Sequence, residues 1–259
     1  MDLEYTADRG VSVITLNRPQ VGNAFTFDML DAWAGALRNA ARDPDVRAVV
    51  LTGAGGAFCS GVDLAEIKKI EDTPIAHKRM MTKMVYQVAE AAEDLDKPLI
   101  AAVNGSAVGA GMDMALMCDM RFVSRKARFS EGYIRVGLVP GDGGCYYLPR
   151  IVGEAKALEL LLTGDFVDAE EAVRIGLAAR LYEPDELLNE TLVFARRLAG
   201  HAPISVEFIK SAVRRSRRMD VRASLDLISS HLAIVMATED HREAMQAFSE
   251  KRPGRFTNR

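Results

Sequence analysis

With 259 residues, 49% of them apolar and 27% charged, the chain is long enough to bury a substantial core in one large domain or a domain with an appendage. A formal net charge of −3 gives no reason to expect a nucleic-acid partner, and no apolar run reaches the roughly 18 residues of a membrane span, so neither partner is expected. Cys59, Cys118 and Cys145 are too few and too scattered for a disulfide framework or a zinc site, which points to a reducing compartment.

The first residues, MDLEYTADRG, lack an apolar stretch flanked by positive charge, so a cytoplasmic location is expected. Leu3 to Asp8 and Val11 to Asn17 alternate and meet at Arg9-Gly10, the pattern of a hairpin. Phe27 to Ala41 has helical spacing through Met29, Leu30, Trp33, Ala36, Leu37 and Ala40, with Thr26 as its cap. Val46 to Thr52 reads as an apolar strand, followed by the loop GAGGAFCSG at 53–61 and helical patterns at 63–70 and 75–95.

The stretch 97–119 organises the chain. Leu99 to Val103 suits a strand covered on both faces; Gly105, Gly109 and Gly111 form a turn, and Met112 to Met117 resumes as a helix carrying Asp113. Free N–H groups at a helix start, with a carboxylate beside them, make a small anion trap. Met120 to Val123 and Ala127 to Ser130 are further strands. The loop GLVPGDGG at 137–144 leads into a helix ending near Leu148-Pro149. Helices follow at 155–162 and 169–175, then a strand at 178–182. Beyond residue 185 only helical patterns remain, at 185–199, 203–218, 221–237 and 239–250, and the cluster Arg214, Arg215, Arg217 and Arg218 reads as a solvated helix face. The order implies an α/β core, residues 1–195, with a helical C-terminal region, residues 196–259.

Common catalytic and phosphate-binding signatures fail. GSAVGAG is out of phase with the dinucleotide fingerprint, and no lysine follows its glycines as a P-loop requires. Ser60 and Ser106 do not sit in a G-x-S-x-G elbow, and His77, His201, His231 and His241 lack ligand spacing, so no metal is expected. Two glycine-rich turns that each open a helix remain, Gly53 to Asp63 and Gly105 to Asp113. If they meet, two backbone N–H groups can converge on one carbonyl oxygen and stabilise an oxyanion. Two ordinary strand-to-helix connections would have the same spacing.

AFCSGVDL at 57–64 and AAVNGSAVGAGMDMALMCDMRF at 101–122 resemble the two signature segments of the crotonase superfamily, the enoyl-CoA hydratase/isomerase family. LNRPQVGNAF at 16–25, FSEGYIRVGLVPGDGG at 129–144, LLTGDFVDAEEAVRIGL at 161–177 and TEDHREAMQAFSEKRPGRF at 238–256 extend the resemblance over nearly the whole chain. It implies a spiral of ββα repeats with C-terminal helices that build a trimer or a hexamer of paired trimers. The implied ligand is an acyl-CoA thioester, in which coenzyme A is part of the substrate and no separate cofactor is needed. The oxyanion donors fall on the N–H groups of Val62 and Ala110. Val62, Asp63, Leu64 and Ala65 would line the CoA chain, with Asn23 and Ala24 near its pantetheine or adenine.

The resemblance breaks at the catalytic acids. One family glutamate is matched by Asp113, one methylene shorter, and the second falls on Tyr133, a phenol that is rarely ionised near neutral pH. Two other acids are available. Glu131 would point with Tyr133 in an extended segment and away from it in a helix; it could equally be a solvated surface acid. Asp142 lies in the GDGG turn, one residue out of register with an aspartate used by some dehalogenase and dienoyl-CoA isomerase relatives, and could equally be a turn or cap residue. The expected activity is hydration of an enoyl-CoA, with double-bond isomerisation, hydrolysis or a weakly active acyl-CoA-binding protein as alternatives.

Overall fold

The computed structural model describes residues 1–259. The N-terminal hairpin forms as expected from β1 (Leu3–Asp8) and β2 (Val11–Leu16), turning at Arg9 and Gly10, whose φ angles of 48° and 79° fit a tight hairpin turn. Helix α1 (Phe27–Arg42) is capped by Thr26, whose hydroxyl accepts from Met29 N at 3.1 Å.

A ββα unit then recurs. β3 (Ala48–Gly53) and β4 (Ala57–Cys59) precede the short helix α2 (Leu64–Ile67). β5 (Leu99–Val103) and β6 (Ser106–Val108) precede α5 (Ala110–Leu116), and β7 (Met120–Ser124) and β8 (Arg128–Ser130) precede a 3₁₀ turn at Gly132–Val136 and α6 (Gly144–Val152). The first strand of each unit joins a six-stranded sheet, β1-β2-β3-β5-β7 with β10 (Arg180–Tyr182) at its far edge. The second strand joins a smaller sheet, β4-β6-β8 with the two-residue β9 (Val167–Asp168) antiparallel at its edge. This alternation between two sheets is the spiral that the resemblance implied.

The continuous apolar runs of β3, β5 and β7 follow from burial on both faces. Val49, Leu51, Ala101, Val103 and Val123 face the main core, with Trp33, Leu37, Val88 and Met114 from α1, α5 and α4 (Tyr86–Glu93). Their neighbours Ala48, Val50, Ile100, Ala102 and Phe122 face α9 (Leu187–Ala199), whose Leu187, Ala195 and Ala199 are buried there. The boundary expected at 195/196 falls inside α9, whose Leu187, Ala195 and Ala199 pack on the sheet.

Several boundaries differ from expectation. The helix expected at 75–95 is α3 (Pro74–Met80), a π-helical turn at Met81–Val85, and α4. The loop at 53–61 contains β4, and the glycine turn after β5 contains β6, so α5 opens at Ala110 rather than Met112. Both missed strands have three residues, too short for a period of two to declare itself. Helix α6 runs through Pro149 to Val152. Helices α7 (Glu154–Thr163) and α8 (Ala169–Arg174) lie close to the expected positions, as do α10 (Pro203–Ser216), α11 (Val221–Ala237) and α12 (Glu239–Glu250).

Arg214 is not on a solvated face. It pairs with Asp119 at 3.1 Å and donates to Glu93 O at 2.7 Å, while Lys210 reaches Asp119 at 2.7 Å and Lys97 O at 2.6 Å. These bonds tie α10 to the start of β5, where Asp119 also accepts from Leu99 N.

Candidate active site

The two glycine turns meet. β4 and β6 pair in parallel, bringing Ala57 opposite Ser106 and Cys59 opposite Ala107. A Cβ on Gly105 would lie 2.0 Å from Gly56 O, and one on Gly111 would lie 2.0 Å from Cys59 O. Only a hydrogen fits at either place. Gly61, with φ of 94°, sits against Ala110: its missing Cβ would be 3.5 Å from Ala110 N.

Both expected donors are left unspent by the local ladders. In the bridge between Phe25 and Val62, Phe25 N donates to Gly61 O and Asp63 N donates to Phe25 O, each at 2.9 Å, so Val62 N–H is not used. Gly109, with φ of 53°, ends β6, and its carbonyl accepts from Met112 N and Asp113 N. Ala110 is thus the first helical residue, with no carbonyl in its own helix to accept its N–H.

The residues expected along a CoA chain divide into braces and open surface. Asn23 is fully buried at φ of 57°; its amide donates to Ala54 O and Ala57 O, and its oxygen accepts from Arg18 N. Its side chain is therefore occupied in holding three loop segments together. Ala24 is buried and its carbonyl accepts from Arg18 at 2.6 Å. Asp63 caps α2 through Ala65 N and pairs with Arg18 at 2.9 Å, and these bonds hold its carboxyl below the usual range. Leu64, 73% exposed, and Ala65 form open surface beside Val62. Arg18, unremarked in the sequence, is the cation that links these braces.

The acids converge on Tyr133. Its hydroxyl donates to Asp113 Oδ2 at 2.7 Å and lies 3.1 Å from Asp142 Oδ2; Asp142 N donates to Asp113 Oδ2 at 3.2 Å. Asp113 is 0% exposed, Glu131 1% and Asp142 7%. Glu131 is therefore not a surface acid: it is buried just before the 3₁₀ turn, whose Tyr133 is partly buried against the core. Burial pushes Asp113 up to about 7, Glu131 to about 9 and Asp142 to about 6, the first two raised further by neighbouring carboxylates. The Tyr133 phenol is driven well above its ordinary value, by burial first and then by Asp113 and Asp142, so it acts as a donor and not as a base.

Sequence inspection gave no sign of two further contributors. Gly144 opens α6 beneath the acids, where a Cβ would come 2.5 Å from Asp113 Oδ1. Met81, in the π-helical turn, places its Cε 2.9 Å from where a Cβ on Gly141 would stand, so it lies over the turn that carries Asp142. The separate cavity of about 650 Å³ between α10 and the core is lined by Met117, Asp119, Tyr147, Ile151, Val206 and Lys210, among others, but by neither the donors nor the acids.

The two-sheet ββα spiral is the fold of the crotonase superfamily, and it brings two unspent backbone N–H groups near a cluster of buried acids. The chain belongs to the enoyl-CoA hydratase/isomerase family, whose model matches residues 6–259. It is 37% identical over 243 residues to the short-chain-enoyl-CoA hydratase of Clostridium acetobutylicum, covering 93% of this chain and 92% of the relative. It is 34% identical over 250 residues to the crotonyl-CoA hydratase of Syntrophomonas wolfei, covering 96% and 95%. The crystal structure of enoyl-CoA hydratase from Bacillus anthracis superposes with a TM-score of 0.95 at 30% identity over 100% of both chains. That of enoyl-CoA hydratase from Mycobacterium smegmatis gives 0.92 at 34% identity over 98% of each.

Proposed function

We propose that the protein adds water to the double bond of an enoyl-CoA, holding the thioester oxygen on the N–H groups of Val62 and Ala110. The observation that carries this reading is the fixed carboxyl pair. Tyr133 O–H and the Asp142 N–H both anchor Asp113 Oδ2, one turn into the helix whose first N–H is the proposed donor. Asp142 supplies the second carboxyl that Tyr133 cannot, and its Oδ1 receives no hydrogen bond from the protein. Water held by the pair gives a proton to Asp113 as its oxygen adds to the β-carbon. The electrons pass to the thioester oxygen, and a proton returned to the α-carbon completes the addition.

CoA is proposed to run over the open surface at Leu64 and Ala65, braced by Arg18 and Asn23. A homotrimer or hexamer is proposed as the assembly, supported by α10 and α11: neither has a buried residue, and Ile209, Val213, Leu225, Leu232 and Ile234 are exposed. Sedimentation giving only a 28 kDa monomer would contradict it.

Isomerisation is the second reading, favoured because Tyr133 stands where a second glutamate is usual and one carboxylate can move a proton between α and γ carbons. Purified protein incubated with crotonyl-CoA and with a 3-enoyl-CoA decides between the two by mass and absorbance. A product heavier by one water supports hydration. Changed absorbance at constant mass supports isomerisation, and tight binding without turnover of either would overturn both.

A further inference from the structure

Glu131 has no match among the usual pair of catalytic glutamates, yet it is as buried as Asp113. Neither of its oxygens receives a hydrogen bond from any N–H or O–H group of the protein other than what a neighbouring acid can provide, and Asp113 Oδ1 is in the same position. The two groups crowd one point: a Cβ on Gly144 would lie 2.5 Å from Asp113 Oδ1 and 2.8 Å from both Glu131 oxygens. Two ionised carboxylates this close, out of water, repel strongly; one proton between them turns the repulsion into a hydrogen bond.

We propose that Glu131 is a positioning residue that keeps its proton and donates it in a hydrogen bond to Asp113 Oδ1, so that of these two acids Asp113 is the one left charged. Asp113 is then held at both oxygens, by Glu131 at Oδ1 and by Tyr133 O–H and Asp142 N–H at Oδ2. The aspartate lacks a methylene relative to glutamate, and this two-sided clamp fixes where its shorter carboxyl stands. Gly144 is required because any side chain there would push the two acids apart.

The groups facing Glu131 are Asp113 from α5, Asp142 from the turn before α6, the Cys145 thiol on α6 and Tyr133 on its own turn; no lysine, arginine or histidine acts on it. The shared proton sits on Glu131 because Asp113 Oδ2 accepts hydrogen bonds from Tyr133 O–H and Asp142 N–H that favour its charged form, while neither Glu131 oxygen accepts one. Burial and mutual repulsion raise both acids, so the pair holds two protons in acid, one over an intermediate range and none in alkali.

The role of Glu131 in turnover rests on the hydratase or isomerase reading, but its proton does not, so two measurements keep the two apart. Infrared spectra of ligand-free enzyme at about pH 8 are expected to show the carbonyl stretch of a buried carboxylic acid, absent in Glu131→Gln. In Asp113→Asn the same band should persist and vanish at a lower pH, because its charged neighbour is gone. An unchanged band in Glu131→Gln, or an unmoved titration in Asp113→Asn, overturns the proposal whether or not substrate is turned over; the second variant decides if the first does not fold.

With a confirmed substrate, Glu131→Gln keeps a neutral donor that cannot ionise and should lose the alkaline limb of the wild-type pH profile. Glu131→Leu removes the donor and should move the acid limb upward by about one unit. An alkaline limb that survives in Glu131→Gln would refute the clamp. Absence of all turnover alongside the expected infrared bands would instead refute the assigned reaction and leave the shared proton standing.

Discussion

The proposed active site is made of two regions built on opposite plans. The proposed donor cradle at Gly61-Val62 and Gly109-Ala110 is backbone against backbone, fixed by strand pairing and by glycines that let carbonyls approach. The acid cluster at Asp113, Glu131, Tyr133 and Asp142 is side chain against side chain, fixed by hydrogen bonds and by protons. The first fails by steric collision and is indifferent to pH; the second tolerates shape changes but answers to every change of charge.

Breaking the acid cluster at its centre should have the largest effect. Asp113→Asn keeps size and fold but cannot take a proton, and a loss of about 10³-fold in kcat is expected, equal to ~4 kcal/mol, read in steady-state kinetics. The cradle breaks differently: Gly111→Ala drives a methyl into Cys59 O, and chemical denaturation should show a loss of about 3 kcal/mol or more. If that variant melted like the wild type, the close approach of the two turns would be wrong.

Acidity then separates the two regions. Asp113, Glu131 and Asp142 all titrate higher folded than unfolded, so the native state binds more protons, and their contribution is full below about pH 4 and is lost as pH rises through about 6, 7 and 9. Urea midpoints should therefore fall between about pH 5 and about pH 9, by a few kcal/mol in free energy, and the fall should flatten in Glu131→Gln. A slope unchanged by that substitution would move the pH response outside the cluster.

Tyr133→Phe removes one donor from Asp113 and should cost about tenfold in kcat, the value of one hydrogen bond to a charged group. Ala110→Gly should matter least. The proposed donor there is the main-chain N–H, so activity within about threefold of wild type is expected in kinetic assays, with a stability cost of ~0.5–1 kcal/mol for glycine in a helix.

The same contrast explains what the sequence revealed. The cradle could be anticipated because its requirements are local: Gly61, Gly109 and Gly111 stand where φ is positive or a carbonyl approaches, and glycine says so directly. Asp113 was visible by its place in the helix. Glu131 and Asp142 could be read equally as catalytic acids or as a surface acid and a turn residue, because their burial depends on a 3₁₀ turn at 132–136 and on Gly143, at φ of 111°. Arg18 and Arg214 were hidden for a related reason, since the value of a cation lies in partners 45 and 95 residues away.

The order of the spiral has a consequence for how the site comes into being as the chain is made. Cys59 and its turn come from one ββα unit, Ala110 and Asp113 from the next, Glu131 and Tyr133 from the third, and Asp142 from the loop after it. During synthesis the cradle can close once β6 has emerged, while Asp113 must wait for another full unit before its neighbours exist. The order of the chain thus lets the proposed oxygen-binding notch form before Asp113 meets the phenol and acids that surround it in the finished fold.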